Sequence, residues 1–492
     1  MTHDHQDDPD PAGDEGSDRP RSSARPRILI PITIVFAVRY VVRTGLLARL
    51  QEVCDPVLGL TWDDDELSAE LAATGVEVVR IPDPRVEAPV PGLLDQQTVH
   101  FHRRLRSPST KIDRARNRHT WPLARRMRRG LREVAGRARS LLPGDEARVD
   151  RTLDDALGSA TNLAENATLL RELDIDAIVS ITPFVAQERV LLWAGRSLGL
   201  PSLASILSFD NITTRPPLPI TFDRYLVWNR HNRDEVLRSY RGVTPDRVEV
   251  VGAAQFDFYS QDRFVRDEAD WRGSLGLPPD CPTVLYGAGA VHIAPHETQH
   301  VDQLVEAIRA GALPAELRVV LRRHPLDTSG RWNRFAEVDE VVLDDPGAVG
   351  DSTLRPGQAN LEETQVIGLC SSLAHCDVHV SVSSTMTLDG AFFDRPQVGP
   401  AFDASPGRSF DRHARDLYRR EHFVALCASG GLAVVHGPEE LVATVRTYLE
   451  HPERDAEGRR RLLAEVATTT DGRSTERVAD AIRRFLAEVV VT

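Results

Sequence analysis

Residues 381–390 read SVSSTMTLDG: an apolar alternation (Val378, Val380, Val382) stops at three hydroxyl side chains, Ser383, Ser384 and Thr385, and a helix-like run follows with one carboxylate, Asp389. Hydroxyls and free backbone N–H groups where a strand gives way to a helix suit phosphate, because helix N-termini carry unpaired donors and partial positive charge. An acid about one turn later is placed to accept from ribose hydroxyls, a role carboxylates take in nucleotide-binding sheets. The plainer reading is an N-cap followed by a solvated helix aspartate, and spacing alone leaves both open.

Two other stretches carry groups of the right type. Asp210 and Asn211 lie in the long loop SFDNITTRPPLPITF, where a carboxylate of raised pKa would serve as the general base that takes an acceptor hydroxyl proton. Asp and Asn are equally ordinary turn formers. The string AVHIAPHETQH holds His292, His296 and His300 with Glu297 among them. Its spacing is not HExxH and Pro295 blocks a continuous helix, so no metal site is expected; His296 and Glu297 read instead as a donor-side or catalytic loop opening the next helix. Pro-Glu at a helix start explains Glu297 as well.

These groups need a frame. From residue 28 short apolar runs alternate with helical periods: RILIPITIV, a helix through RTGLLARLQE, PVLGLTW, DDELSAELAATG, VEVVRIP, then after an insertion DAIVSIT, PSLASIL, RYLVWN and VEVVG. That alternation predicts a parallel sheet with helices on both faces. A polar, proline-containing connection over 255–281 leads to a second alternating set over 282–472, closed by a helix over 473–492. The expected fold is therefore α/β, two doubly wound Rossmann-like domains (28–254 and 282–472) facing across a cleft, where such sheets bind ligands.

Composition narrows the function. With 41% hydrophobic and 27% charged residues the 492-residue chain reads as a globular protein of more than one domain. A net charge of -13 argues against nucleic acid as a general partner. Five scattered cysteines fit a reduced, cytoplasmic compartment, and residues 1–27 read as a disordered acidic tail. Against this acidic background the stretch 101–141 holds fourteen Lys/Arg between positions 103 and 139, with only Asp113 and Glu133 opposing them. Trp121, Leu123, Met127, Leu131 and Val134 follow helical spacing there, so a cationic amphipathic helix resting peripherally on the anionic inner face of the membrane competes with RNA binding and with a merely solvated arginine face.

The order of several segments resembles the GT-B glycosyltransferase superfamily, and within it bacterial surface-carbohydrate enzymes allied to CDP-glycerol glycerophosphotransferases and UDP-sugar epimerases. The segments are FAVRYVVRTGLL, LSFDNITT, FDRYLVWNRHNRDE, DRVEVVGAAQFD, VLYGAGAVHIAPHE, VLRRHP, SVSSTMTLDGAFFDRP and YRREHF. The resemblance implies a nucleotide-sugar as substrate, no separate cofactor, and a donor site in the second domain. Ser383, Ser384 and Thr385 fall on the donor phosphate loop, Asp389 on the ribose-binding acid, and Arg322 and His324 on an RxHP-like element contacting phosphate or base. The glycine-rich turn of some members is replaced by FAVRYVVRTG, which offers Arg39 and Arg43 to an acceptor alongside Asn211. Tyr418, Glu421 and His422 match a segment that reaches the cleft or forms an ordinary helix end. The implied activity is transfer of a sugar to a cell-envelope, lipid-linked or secondary-metabolite acceptor. A CDP-glycerol-type phosphotransferase, an epimerase and a silent sugar-nucleotide-binding protein are the alternatives.

Overall fold

The structure, a computed structural model, describes residues 25–118, 122–325, 327–345, 363–403 and 413–490. Most of the expected acidic tail, and Trp121 of the basic stretch, lie outside the described residues. Seven strands form a first sheet: β1 (Arg27–Ile32), β2 (Asp55–Leu60), β3 (Glu77–Arg80), β4 (Ala177–Ser180), β5 (Ser202–Ser205), β6 (Arg224–Val227) and β7 (Val248–Val250). Their order is β3-β2-β1-β4-β5-β6-β7 and every pairing is parallel. The second sheet holds β8 (Thr283–Gly287), β9 (Arg318–Arg322), β10 (Val341–Asp344), β11 (Val378–Ser381), β12 (Gln397–Pro400) and β13 (Ala433–Val435), in the order β10-β9-β8-β11-β12-β13. Strand order reverses between β1 and β4 in one sheet and between β8 and β11 in the other, which opens a crevice at the carboxyl ends of both. The expected α/β architecture is the observed one.

Helices cover both faces of each sheet, so strands such as TVLYG and VHVS are buried throughout, the second in spite of its polar His379 and Ser381. The last helix, Ser474–Val489, turns back to the first sheet and packs Val478, Ile482, Phe485 and Leu486 into the core of Ile28, Ile30, Leu46 and Leu50. Asp257 fixes its start by accepting from the backbone N–H groups of Ser474 (3.0 Å) and Thr475 (2.6 Å).

Two segments differ from expectation, and a third is built of several helices. The stretch FAVRYVVR is not an open turn: it forms a short helix over Val35–Val38 and a π-helical turn over Arg39–Arg43. The connection after β7 is not polar in its effect, because Phe256, Phe258, Tyr259 and Phe264 are buried in it and join Phe209 and Trp228 from the first half to Leu388, Tyr418, Phe423 and Leu426 from the second. The basic stretch is helical. It runs through Val90–Leu105, Pro108–Arg118 and Leu123–Arg139, braced against the helix Asp145–Ala160. Gln96 anchors that brace by donating to the carbonyl of Gly136 (3.0 Å) and to Asp145 (3.1 Å).

Candidate functional site

The loop after β11 is held in an unusual shape. Ser383 adopts a left-handed φ of 46°, which costs a non-glycine residue strain, and its N–H donates to the Tyr418 hydroxyl at 3.1 Å. Its own hydroxyl oxygen is buried without a hydrogen-bond partner, a state native structures avoid unless something else fills the role. Ser384 accepts from the N–H of Met386, the first residue of the helix Met386–Phe392, at 3.2 Å, while Thr385 is exposed. Gly287, at the end of β8, admits this helix closely: a Cβ there would lie 2.9 Å from the Met386 sulfur.

Asp389 is buried on that helix, not solvated. Burial pushes its carboxyl up to about 6, against the pull of Arg39 and of the Tyr259 hydroxyl. Arg39 reaches it from the first half of the chain. Its guanidinium lies 5.1 Å from the Phe258 ring centroid and 5.6 Å from that of Phe36, and its buried Nε has no hydrogen-bond partner. Residues assigned from the sequence to opposite substrates, Arg39 to the acceptor and Asp389 to the donor, therefore face one another. Tyr259, which completes the group, carried no signal in the sequence beyond belonging to an aromatic run.

Beyond β5 the environment of Asp210 reverses the expectation of a raised pKa. Burial raises it, but the positive charge of His422 and hydrogen bonds from Ser208 and Thr214 win, and the carboxyl sits below the usual aspartate range. Ser208 donates to it at 2.6 Å, Asn211 at 3.2 Å and Thr214 at 3.2 Å. A carboxylate so satisfied is a poor general base. Asn211 is buried and spends its amide on Asp210. His422, from the helix Glu421–Ala428, meets Phe209 edge-on at 5.6 Å, and burial lowers its pKa despite Asp210. Its buried Nδ1 has no partner. It lines a cavity of about 190 Å³ with Phe209, Asn232, Glu235, Arg238 and Glu421. Burial also pushes Glu235 up to about 8.

The remaining sequence candidates are engaged. Arg43 pairs with Glu70, and Arg322 is buried against Asp344 at 2.7 Å, so neither guanidinium is held open for a substrate. Glu297 is likewise buried: its oxygens accept from the N–H of Gly289 at 2.9 and 3.0 Å and from Arg331 at 2.6 Å, while burial pushes its pKa up. Arg331 was not singled out from the sequence, yet it ties this loop to the next by also donating to the carbonyls of Ala294 and Gly289 and to Asp327. His296 is exposed beside it, and His324 is half-buried with its pKa lowered, chiefly by burial. His300 is a core residue, bonded to Tyr286 and to the carbonyl of Phe402. At the β1/β4 crevice the structure adds Glu188, wholly buried, accepting from Thr33 at 3.0 Å and from Ser180 and Thr182, its carboxyl pushed up by burial to about 7. Among the described residues no cluster of three His, Cys, Asp or Glu side chains is placed to hold a metal ion.

No family model matches the chain, and no curated protein does. Solved structures match over nearly its whole length. UDP-GlcNAc 2-epimerase from Neisseria meningitidis, bound to UDP-GlcNAc, is similar with a TM-score of 0.53 and 10% identity, over 93% of this chain and 100% of that one. The S. aureus MnaA–UDP structure is similar with a TM-score of 0.53 and 10% identity, over 94% and 97%. A glycosyltransferase from Rickettsia africae gives 0.50 and 9%, over 94% and 99%. The fold is GT-B. In this GT-B frame the Arg39–Asp389 pair and the Asp210–His422 pair both lie at the seam between the two sheets, and rings connect them: His422 to Phe209, Phe209 to Trp228 (5.8 Å), Trp228 to Phe256 (5.3 Å) and Phe256 to Tyr259 (5.7 Å).

Proposed function

We propose that the protein transfers a sugar from a nucleotide-sugar donor to an acceptor hydroxyl, with the donor held at the carboxyl end of the second sheet. The observation that carries this reading is the facing of Arg39 and Asp389 beside the Ser383 loop, with buried polar atoms on both sides, Arg39 Nε and Ser383 Oγ, left without partners. Asp389, largely ionised at neutral pH, accepts from the ribose hydroxyls; Ser383, Ser384 and Thr385 donate to the diphosphate. The helix Met386–Phe392 is only seven residues long, so the hydroxyls and the Arg39 cation, more than a helix dipole, stabilise the departing charge. As the acceptor oxygen attacks the anomeric carbon, the bond to the diphosphate breaks and the nucleoside diphosphate leaves. The acceptor proton passes to His422, whose lowered pKa keeps it neutral and able to accept, while the Asp210 carboxylate steadies the resulting imidazolium. This replaces Asp210 as the base.

A cell-envelope or lipid-linked acceptor is favoured by the basic stretch. Met127, Leu131 and Val134 are 62%, 71% and 67% exposed along one face of the helix Leu123–Arg139, beside the exposed Arg137 and Arg139. Such a face rests peripherally on anionic lipid; among the described residues no helix is long and apolar enough to cross a membrane.

The test is calorimetric binding of UDP, CDP, GDP, dTDP and CMP, with Asp389→Ala and Ser384→Ala as controls. Binding of one diphosphate nucleotide, lost in both variants, is expected, and UDP-GlcNAc, the ligand of the Neisseria neighbour, is the first donor to try. Selective CMP and CDP binding would point to a polyol-phosphate transferase. Conversion of the donor sugar to its epimer without an acceptor would replace transfer by epimerisation at the same site, a reading the fold of the epimerase neighbours supports. If no nucleotide binds the folded wild type, the donor site is wrong.

A further inference from the structure

Between the helices Val90–Leu105, Asp145–Ala160 and Arg230–Ser239 lies a cavity of about 670 Å³ that the transfer reading does not use. Its volume is within the range of small-molecule sites. Five arginines line it, Arg103, Arg104, Arg106, Arg238 and Arg241, against one carboxylate, Glu146. That carboxylate is shared: Arg241 lies 3.0 Å from one of its oxygens and Arg104 contacts the other. Burial and the charge of Arg241 lower the pKa of Arg104. Asp145, behind the wall, does not offset the surplus, since His100, Arg148 and Gln96 already bond to it. Arg103 donates to the carbonyl of Ser140, which fixes its stem. Arg106, in a left-handed turn with φ 50°, has no ionic partner among the described residues.

Like charges gathered in a concave, partly desolvated wall raise a positive potential that only an anion relieves, and guanidinium groups match phosphate oxygens in paired hydrogen bonds. We propose that this cavity is a second binding site, for a multiply charged phosphate group of the pyrophosphate type. The site is separate from the donor loop and stands without it. Its rim bears exposed Leu142, next to exposed Leu141, so the phosphate comes either from a soluble molecule or from a lipid headgroup lying against that rim. Arg238 belongs to the wall of this cavity and also to the smaller cavity around His422, where it bridges to Glu421 at 2.8 Å. Anion binding that draws Arg238 inward thus loosens a link between the two halves of the molecule.

Inorganic pyrophosphate titrated into the full chain at fixed ionic strength tests this, because chloride-matched controls remove non-specific screening. The Arg104→Gln/Arg241→Gln double variant should bind at least about tenfold more weakly than wild type. Arg106→Gln, which has no partner to lose, should bind about threefold more weakly with an unchanged melting temperature, so misfolding cannot imitate the result. UDP binding should be the same in all three proteins, which separates this site from the donor site. Absence of pyrophosphate binding to folded wild type, or equal affinity in both variants, overturns the proposal. Cosedimentation with phosphatidate vesicles but not phosphatidylcholine vesicles, lost in the double variant, assigns the lipid source; pyrophosphate binding without cosedimentation assigns a soluble one.

Discussion

Asp389 and Asp210 are the same residue type, each just past the carboxyl end of a parallel strand, each beside a cationic or ionisable partner from the other half of the chain. Their chemistry is opposite. Asp389 sits among Tyr259, Arg39 and Cys370 with few donors aimed at it, and burial raises its carboxyl to about 6. Asp210 receives hydrogen bonds from Ser208, Asn211 and Thr214, and the sum drives its carboxyl below normal. Donor count and desolvation, not residue type, decide which aspartate remains open to a ligand. The satisfied one serves as a brace, and the under-satisfied one is the group the proposed donor site uses.

The sharpest way to break that contrast is at the two partners, His422 and Arg39. His422→Gln should reduce sugar transfer by about 10²- to 10⁴-fold, the usual worth of a general base, while leaving nucleotide affinity within twofold; an unchanged turnover would remove His422 as the base. Arg39→Gln should weaken diphosphate-nucleotide binding by about thirtyfold or more, since a buried charge contact is lost, and calorimetry that finds equal affinity would detach Arg39 from the donor.

Stability tests sharpen the comparison with smaller effects of opposite sign. Asp210→Asn should cost about 1–3 kcal/mol at pH 7 in urea denaturation, because charged hydrogen bonds are weakened. Its folded pKa is depressed, so the wild-type advantage is present above the unfolded value and fades as pH falls through the folded one. For Asp389 the sign reverses: between about pH 4 and 6 the folded state binds more protons than the unfolded, so stability falls as pH rises across that window. Asp389→Asn should remove that slope and gain on wild type from pH 4.5 to 6.5; parallel curves would show that the carboxyl is not raised. The smallest effect belongs to Arg238→Gln. Its bridge to Glu421 is partly exposed, so a loss of under about 1 kcal/mol is expected, and a larger one would mark a strong lock between the halves.

Much of the frame was legible. Apolar runs such as RILIPI and TVLYG, spaced by helical periods, announce parallel strands because burial on both faces forbids polar alternation. The Ser383–Asp389 stretch was visible for a related reason, a change of period from two to 3.6 at a cluster of hydroxyls. Arg331 and Glu188 were not legible, since a single buried charge in sequence looks like any surface charge. Nor was the fate of Arg322, whose neighbour Asp344 becomes its partner only when β10 pairs with β9.

By itself the sequence determined the alternation of strands and helices, the concentration of arginine over 101–141 and the hydroxyl-rich break after β11, because these depend on local pattern and composition. Tertiary structure alone decided which charges meet. Arg39 finds Asp389, Asp210 finds His422, and five arginines gather around one cavity, two of them on Glu146, only after the helices and sheets pack, and the desolvation that sets each group's proton affinity exists only in that packed state.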